Sequence, residues 1–224
     1  MTFLKSFSKS EPKFDSAKVS PRVSLAHKIT KEGPYSCRVV NSVGQGRRFN
    51  ITVGADRVAG QALVDCDELF APDAPTRDIK VGVEDYLLFV STHGNGEYAV
   101  EITTSDEIAR VEFDSKAVGI DGLIVLNPLL PGTYVLTNTH SGVTASLIVT
   151  PLEDLFEDPM SDEAVKFYES LREEGALQVS LSETAFSPDP IKLDADRPMV
   201  LTGSGPMRVE CALREAHSLS GILK

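Results

Sequence analysis

Few side chains in this sequence have the type and spacing for chemistry. Two histidines, His93 and His140, fall in separate turn-rich stretches, and three cysteines, Cys37, Cys66 and Cys211, are scattered. The cysteines have no metal-type spacing, and an odd, sparse count speaks against a disulfide framework. They read as small buried apolar residues. The acidic run Glu153-Asp154-Leu155-Phe156-Glu157-Asp158 lacks the regular Asp/Asn/Gly spacing of a calcium loop and reads as a solvated linker. There is no Gly-x-Ser-x-Gly elbow and no His-Glu-x-x-His zinc helix. Gly44-Gln45-Gly46 lacks the rest of a phosphate loop and reads as a turn. No catalytic residue, resident metal or cofactor is assigned, and the expectation is a protein that is not an enzyme.

Charge offers more. The 224 residues carry a formal net charge of -11, unevenly placed. Residues 1–48 hold ten Lys or Arg against three acids, a balance of +7; the remainder holds twelve against thirty, a balance of −18. Nucleic acid needs clustered positive charge, so the acidic body is not expected to bind it. Tryptophan is absent and aromatic residues make up 7%, which leaves few stacking platforms for bases or sugars. No stretch approaches the ~20 apolar residues of a membrane span, and the first residues lack the apolar core of a secretory signal.

The elements that must position these groups read as follows. Residues 1–34 are expected to form an extended basic arm, interrupted by Pro12, Pro21 and Pro34. Phe3, Phe7 and Phe14 are apolar anchors in it, with Lys5, Lys9 and Lys13 between them. From Tyr35 the apolar period becomes two, with a hairpin through Tyr35, Cys37 and Val39 and then Phe49, Ile51 and Val53. Short apolar runs follow at 62–64, 79–81, 86–90, 98–102, 109–113, 123–126, 134–137 and 145–150, separated by Gly, Pro, Asn and Asp turns. Short strands at this spacing predict an antiparallel sandwich over residues 35–150.

Three segments resemble the bacterial immunoglobulin-like domain family. They are Glu101-Ile-Thr-Thr-Ser-Asp-Glu-Ile-Ala-Arg-Val111, Pro131-Gly-Thr-Tyr-Val-Leu-Thr137 and Ser141-Gly-Val-Thr-Ala-Ser-Leu-Ile-Val149. The resemblance covers residues ~79–150 and implies an immunoglobulin-like antiparallel β-sandwich. Residues 151–176 read as the acidic linker and one connecting helix, starting at Ser161 and ended by Gly175. Residues 177–224 read as a short β-rich C-terminal unit. A faint internal repeat joins the two β regions: Phe70-Ala-Pro-Asp73 precedes Ile79-Lys80, as Phe186-Ser-Pro-Asp189 precedes Ile191-Lys192. The second unit has too few strands to close a core alone, so it is expected to complete its sheet on the first unit or a neighbour.

The immunoglobulin-like resemblance implies a virion structural protein, a capsid decoration or cement protein of a tailed bacteriophage, assembled in the host cytoplasm. Its expected partner is a capsid or other virion protein in a multi-copy or homo-oligomeric assembly. Attachment is expected through Phe3, Lys5, Phe7, Lys9, Lys13 and Phe14. Two alternatives come from other classes. Pro131-Gly-Thr-Tyr134 and Phe186-Ser-Pro-Asp-Pro-Ile191 faintly resemble cupredoxins, which implies a metal-binding or electron-transfer protein with copper on His93 and His140. A type 1 copper site also needs a Cys thiolate, and Thr137 stands at that position. The other alternative is a glycan or cell-surface adhesion module, against which the scarcity of aromatic residues weighs.

Overall fold

The computed structural model describes residues 13–56, 58, 60–74, 78–94, 96–127, 129–151, 175–195 and 197–216. The immunoglobulin-like sandwich expected from the turn spacing does not form. The chain is mainly β and is wound as a β-solenoid of about 5 turns, with a single four-residue helical turn among the described residues. The first half holds β1 (Lys13–Asp15), β2 (Val23–Lys28), β3 (Gly33–Asn41), β4 (Gly46–Gly54), β5 (Gln61–Asp65), the helical turn α1 (Cys66–Leu69), β6 (Asp78–Gly82), β7 (Tyr86–Val90) and β8 (Tyr98–Thr104). The second half holds β9 (Val111–Asp114), β10 (Gly122–Leu126), β11 (Gly132–Asn138), β12 (Thr144–Thr150), β13 (Leu177–Leu181), β14 (Phe186–Ser187), β15 (Ile191–Asp194), β16 (Met199–Gly203) and β17 (Val209–Ala216).

Nearly every expected apolar run becomes a strand. What differs is how the strands pair. A seven-stranded sheet, β14-β13-β16-β10-β2-β7-β5, is shared by both halves, and each half adds a five-stranded sheet, β6-β4-β3-β8-β9 or β1-β17-β11-β12-β15. The chain steps from one sheet to the facing one and back, so β6 lies parallel to β4 and β7 parallel to β5. The second half repeats this coil, with β15 parallel to β12 and β16 parallel to β13. A parallel neighbour requires a crossover. Here the strand in the opposite sheet supplies it. The other ladders are antiparallel, and two of them, β3·β4 and β11·β12, are plain hairpins.

The halves repeat one pattern about a pseudo-twofold axis. β2 and β10 pair antiparallel across it, with Leu25 opposite Ile124. Outward from this pair, Leu25 faces Phe89 as Ile124 faces Leu201. In the five-stranded sheets, Cys37 faces Ile102 as Leu136 faces Cys211, and Ile51 faces Ile79 as Leu147 faces Ile191. The repeated Phe-x-Pro-Asp phrases thus stand at corresponding places before β6 and β15. Tyr35 and Tyr134 each donate from the phenol to the carbonyl four residues earlier, Lys31 at 2.9 Å and Leu130 at 2.7 Å.

Each half also lends its first strand to the other. β1 pairs with β17, placing Phe14 opposite Cys211, and β9 pairs with β8, placing Phe113 opposite Ile102. The lent segments read Phe14-Asp-Ser-Ala-Lys-Val19 and Phe113-Asp-Ser-Lys-Ala-Val118. Ser16 accepts the Val209 amide on Oγ (2.7 Å) while its own amide donates to the Val209 carbonyl (2.9 Å). Ser115 does the same with Val100, at 3.0 and 2.9 Å.

Three expectations are corrected here. The basic arm does not extend to residue 34: from Lys13 onward the chain is woven into the sheets, and β2 runs through the middle of the shared one. Phe14 is 8% exposed and belongs to the core, so it is no docking anchor. Its burial follows from the strand exchange, which no local pattern announces. The C-terminal unit is not a short appendage either, because β10–β17 with β1 match β2–β9 of the first half, with the two-residue β14 as the one addition. The positive charge of the N-terminal region is answered inside the body, by Lys18–Glu97 and Lys28–Glu84 at 2.6 Å each. Phe3, Lys5, Phe7 and Lys9, the acidic run at 153–158 and most of the expected helix from Ser161 to Gly175 lie outside the described residues.

Candidate functional site

The densest group of chemistry-bearing side chains lies where β5 runs into α1 and β7 runs into the loop before β8. Asp65 caps α1, its Oδ1 accepting the Asp67 amide at 3.0 Å. Its Oδ2 accepts the Thr92 hydroxyl and stands 3.9 Å from His93 Nδ1. Asp67 Oδ2 accepts from the Ser91 hydroxyl (2.9 Å) and the His93 amide (2.8 Å), and Oδ1 accepts from the Tyr98 phenol at 2.6 Å. Both carboxylates are buried, whereas the His93 ring is exposed. Burial first, then the bond to Asp67, pushes the Tyr98 phenol well up. The Tyr98 ring stacks on Phe70 with centroids 5.4 Å apart.

Asp65, Asp67 and His93 each offer one ligand atom, all within 4.8 Å of one another. Two carboxylates and an imidazole suit a divalent cation of the manganese or zinc type. The same oxygens already accept from Thr92, Ser91, Tyr98 and the backbone, and those bonds pin α1 to the loop that carries His93. The arrangement therefore braces two loops against each other. Asp85, 1% exposed, does similar work nearby: its carboxylate accepts the amides of Val58 and Gly60 at 2.9 Å and of Gly82 at 3.0 Å.

The pseudo-twofold axis carries this place onto a cleft of about 210 Å³ in the second half, lined by Asn138, His140, Ser182, Glu183 and Pro206 among others. Met207 takes the position of Tyr98, since Val19 bridges Tyr98 as Val118 bridges Met207. His140 donates from Nε2 to the Lys116 carbonyl at 2.9 Å, the orientation that bond requires. Asn138 ties the rim, its Oδ1 accepting from the Arg208 amide (3.1 Å) and its Nδ2 donating to Ser141 Oγ (3.0 Å).

The two histidines singled out for copper therefore belong to different clusters in different halves. Cys37, Cys66 and Cys211 are all buried, and burial pushes each thiol up, away from the thiolate a soft metal needs. Lys13 is exposed on β1, whose first-half counterpart is the edge strand β9. Among Asp65, Asp67, Asp85 and Tyr98, Asp65 had the signal of an Asp directly after an apolar run and Tyr98 that of a strand start, and nothing marked Asp67 or Asp85. Ser16 and Ser115 had one, the repeated Phe-Asp-Ser, which lay half inside the expected arm. No protein-family model matches the chain, no curated protein is significantly similar to it, and no solved structure matches its fold.

Proposed function

We propose that this chain is a non-catalytic structural protein of a multi-copy assembly, in the specific form of a virion shell component. The observation that supports this most is the use made of the buried acids. Asp65, Asp67 and Asp85 together accept from five backbone amides, those of Asp67, His93, Val58, Gly60 and Gly82, and from three hydroxyls. Carboxylates committed in this way stiffen loops, and stiff loops suit a building block. The segment that precedes β1 carries Phe3, Lys5, Phe7 and Lys9, and in this reading it attaches the block to the shell. Phe14 leaves the attachment set because its ring is in the core.

The test is co-sedimentation with purified particles. The full chain is expected to bind at a fixed ratio to the shell protein, and a chain lacking residues 1–12 is expected to keep its β circular dichroism and lose binding. Phe3→Ser with Phe7→Ser in the full chain is expected to weaken binding at least tenfold. Undiminished binding of either variant, or no binding by the full chain, overturns the reading.

A further inference from the structure

The outward face of the first five-stranded sheet carries a row of charges with no ion-pair partner among the described residues. Arg48 on β4 is opposite Arg38 on β3, Arg38 is opposite Glu101 on β8, and Glu101 is opposite Asp114 on β9. Directly opposite residues share a face, and the inward neighbours of this row, Phe49, Cys37, Ile102 and Phe113, are all buried. The row therefore reads plus, plus, minus, minus across four strands. Like charges directly opposite each other are destabilising in a sheet, yet two such pairs stand side by side. None of the four has an ion-pair partner among the described residues. Arg38 does not turn to Glu101: a Cβ added at Gly46 would lie 3.7 Å from Arg38 Nε, so the side chain leans over β4 at Gly46, away from β8.

The second half shows the same row resolved internally. Its counterpart is Thr144, Thr137, Glu210, Asp15. The arginine pair is replaced by threonines, and Arg208 holds both acids, with Nη2 at 2.7 Å from Asp15 and 3.6 Å from Glu210. The first half has Ala99 in the place of Arg208, because Val100 corresponds to Val209. Among the described residues its two acids have no such clamp, and its two arginines have no ion pair. Around the row the outward positions of β3, β4 and β8 are mostly small, Ser36, Asn50, Thr52, Ala99 and Thr103, and β6 at the edge adds Asp78 and Lys80 beside Asn50 and Thr52.

We propose that this face docks a second copy of the chain. Two copies stack sheet to sheet about a twofold axis through the β3–β8 boundary, which lays each Arg38–Arg48 pair on the partner copy's Glu101–Asp114 pair. Such an interface is self-complementary, as a twofold requires. The axis overlaps β4, β3, β8 and β9 of the two copies, 29 strand residues in each, and at ~3.3 Å by ~4.8 Å per residue they give about 460 Å² per copy, the size of a weak, reversible interface. The net charge of -11 opposes approach, but salt at ~0.15 M screens beyond about 8 Å while leaving touching groups coupled. The inference rests on this face alone and does not depend on the virion reading, which shell binding tests separately.

Sedimentation equilibrium of the full chain, from about 1 μM to about 0.5 mM, reads the outcome. The wild type is expected to show a monomer–dimer equilibrium. Arg38→Glu with Arg48→Glu makes the whole row acidic, and Glu101→Arg with Asp114→Arg makes it basic; each is expected to weaken self-association at least tenfold. A one-to-one mixture of the two variants is expected to form a heterodimer at least as tight as the wild type. Asp114 also caps a turn by accepting the Lys116 amide at 2.8 Å, so Glu101→Arg alone serves as the second basic variant, with circular dichroism to confirm folding. A wild type monomeric throughout, a dimer indifferent to the acidic variant, or folded variants that fail to pair each overturn the proposal. So does a monomeric wild type that binds heparin through Arg38 and Arg48, which would assign the arginines to an anionic polymer.

Discussion

The two halves share one set of ladders and brace it by different means. Where the first half fills the space beside Tyr98 with the Asp67 network, the second has Met207 and an open cleft. Where the second half locks its lent strand with Arg208 on Asp15, the first has Ala99 beside Asp114. The Asp15 carboxyl shows the effect of that lock: burial raises its pKa, but the Arg208 guanidinium and the Ala17 amide outweigh burial and hold it below the usual range. The ladders coincide because they join backbone groups, which every sequence supplies. Loop chemistry depends on side chains, and there the halves have diverged.

The largest effect tests the equivalence itself. Leu25 and Ile124 face each other on the pseudo-twofold axis, and both are fully buried. Leu25→Ala and Ile124→Ala are each expected to cost about 2–5 kcal/mol in denaturant unfolding. Losses that differ by more than the spread of such deletions would mean that the halves do not share their centre equally.

Next comes His27. It is 4% exposed, stacks on Phe113, and neither ring nitrogen has a hydrogen-bond partner. Its counterpart across the axis is the buried apolar Leu126, by the pairs His27 with Gly122 and Val23 with Leu126. Burial depresses the imidazole to about 4, and the charge and backbone of Asp121 weigh too little against it. The ordinary value is 6.5. The unfolded chain therefore takes up this proton first. The stability tied to neutral His27 is complete above about pH 6.5 and is lost as pH falls towards 4, by about 3 kcal/mol at most. His27→Leu is expected to raise the melting temperature at pH 7 and to remove that part of the acid slope. A variant whose acid slope matches the wild type would show that the ring is not held neutral.

The smallest effect separates the halves again. Gly33 and Gly132 open β3 and β11 with φ of 138° and 157°. A Cβ at Gly132 would sit 2.8 Å from the Glu215 carbonyl oxygen, whereas one at Gly33 meets nothing within 4 Å. Both alanine variants are strained by the backbone angle. Gly132→Ala is expected to lose about 1–2 kcal/mol more than Gly33→Ala, because packed backbone has to move. Equal losses would place the whole cost in φ.

The strands were largely legible and their partners were not. Tyr35, Cys37 and Val39 announce β3 by period two, and Leu177–Leu181 announces β13. Val23-Ser-Leu-Ala-His-Lys28 announces nothing, since it has only two large apolar residues and follows Pro21. It becomes a central strand because β7 and β10 close over it from both sides. The repeat was visible at Phe70 and Phe186 and hidden at Phe14 and Phe113, because an arm was expected where one copy begins. Of the candidate site, His93 was singled out for its type. Asp65 and Asp67 were not, because an Asp gains meaning only when a second strand end brings Ser91, Thr92 and Tyr98 to it.

By itself the sequence determined that the chain is mainly β, with short strands and a duplicated phrase. Alternation encodes which face of a strand is buried, and turn residues encode where it stops. Tertiary structure alone decided that the strands coil between sheets, that β1 and β9 cross to the opposite half, and that Arg208 meets Asp15 across 193 positions of chain. Neither periodicity nor turns carry information about the neighbouring strand, and that choice is made by which pairing closes one common core.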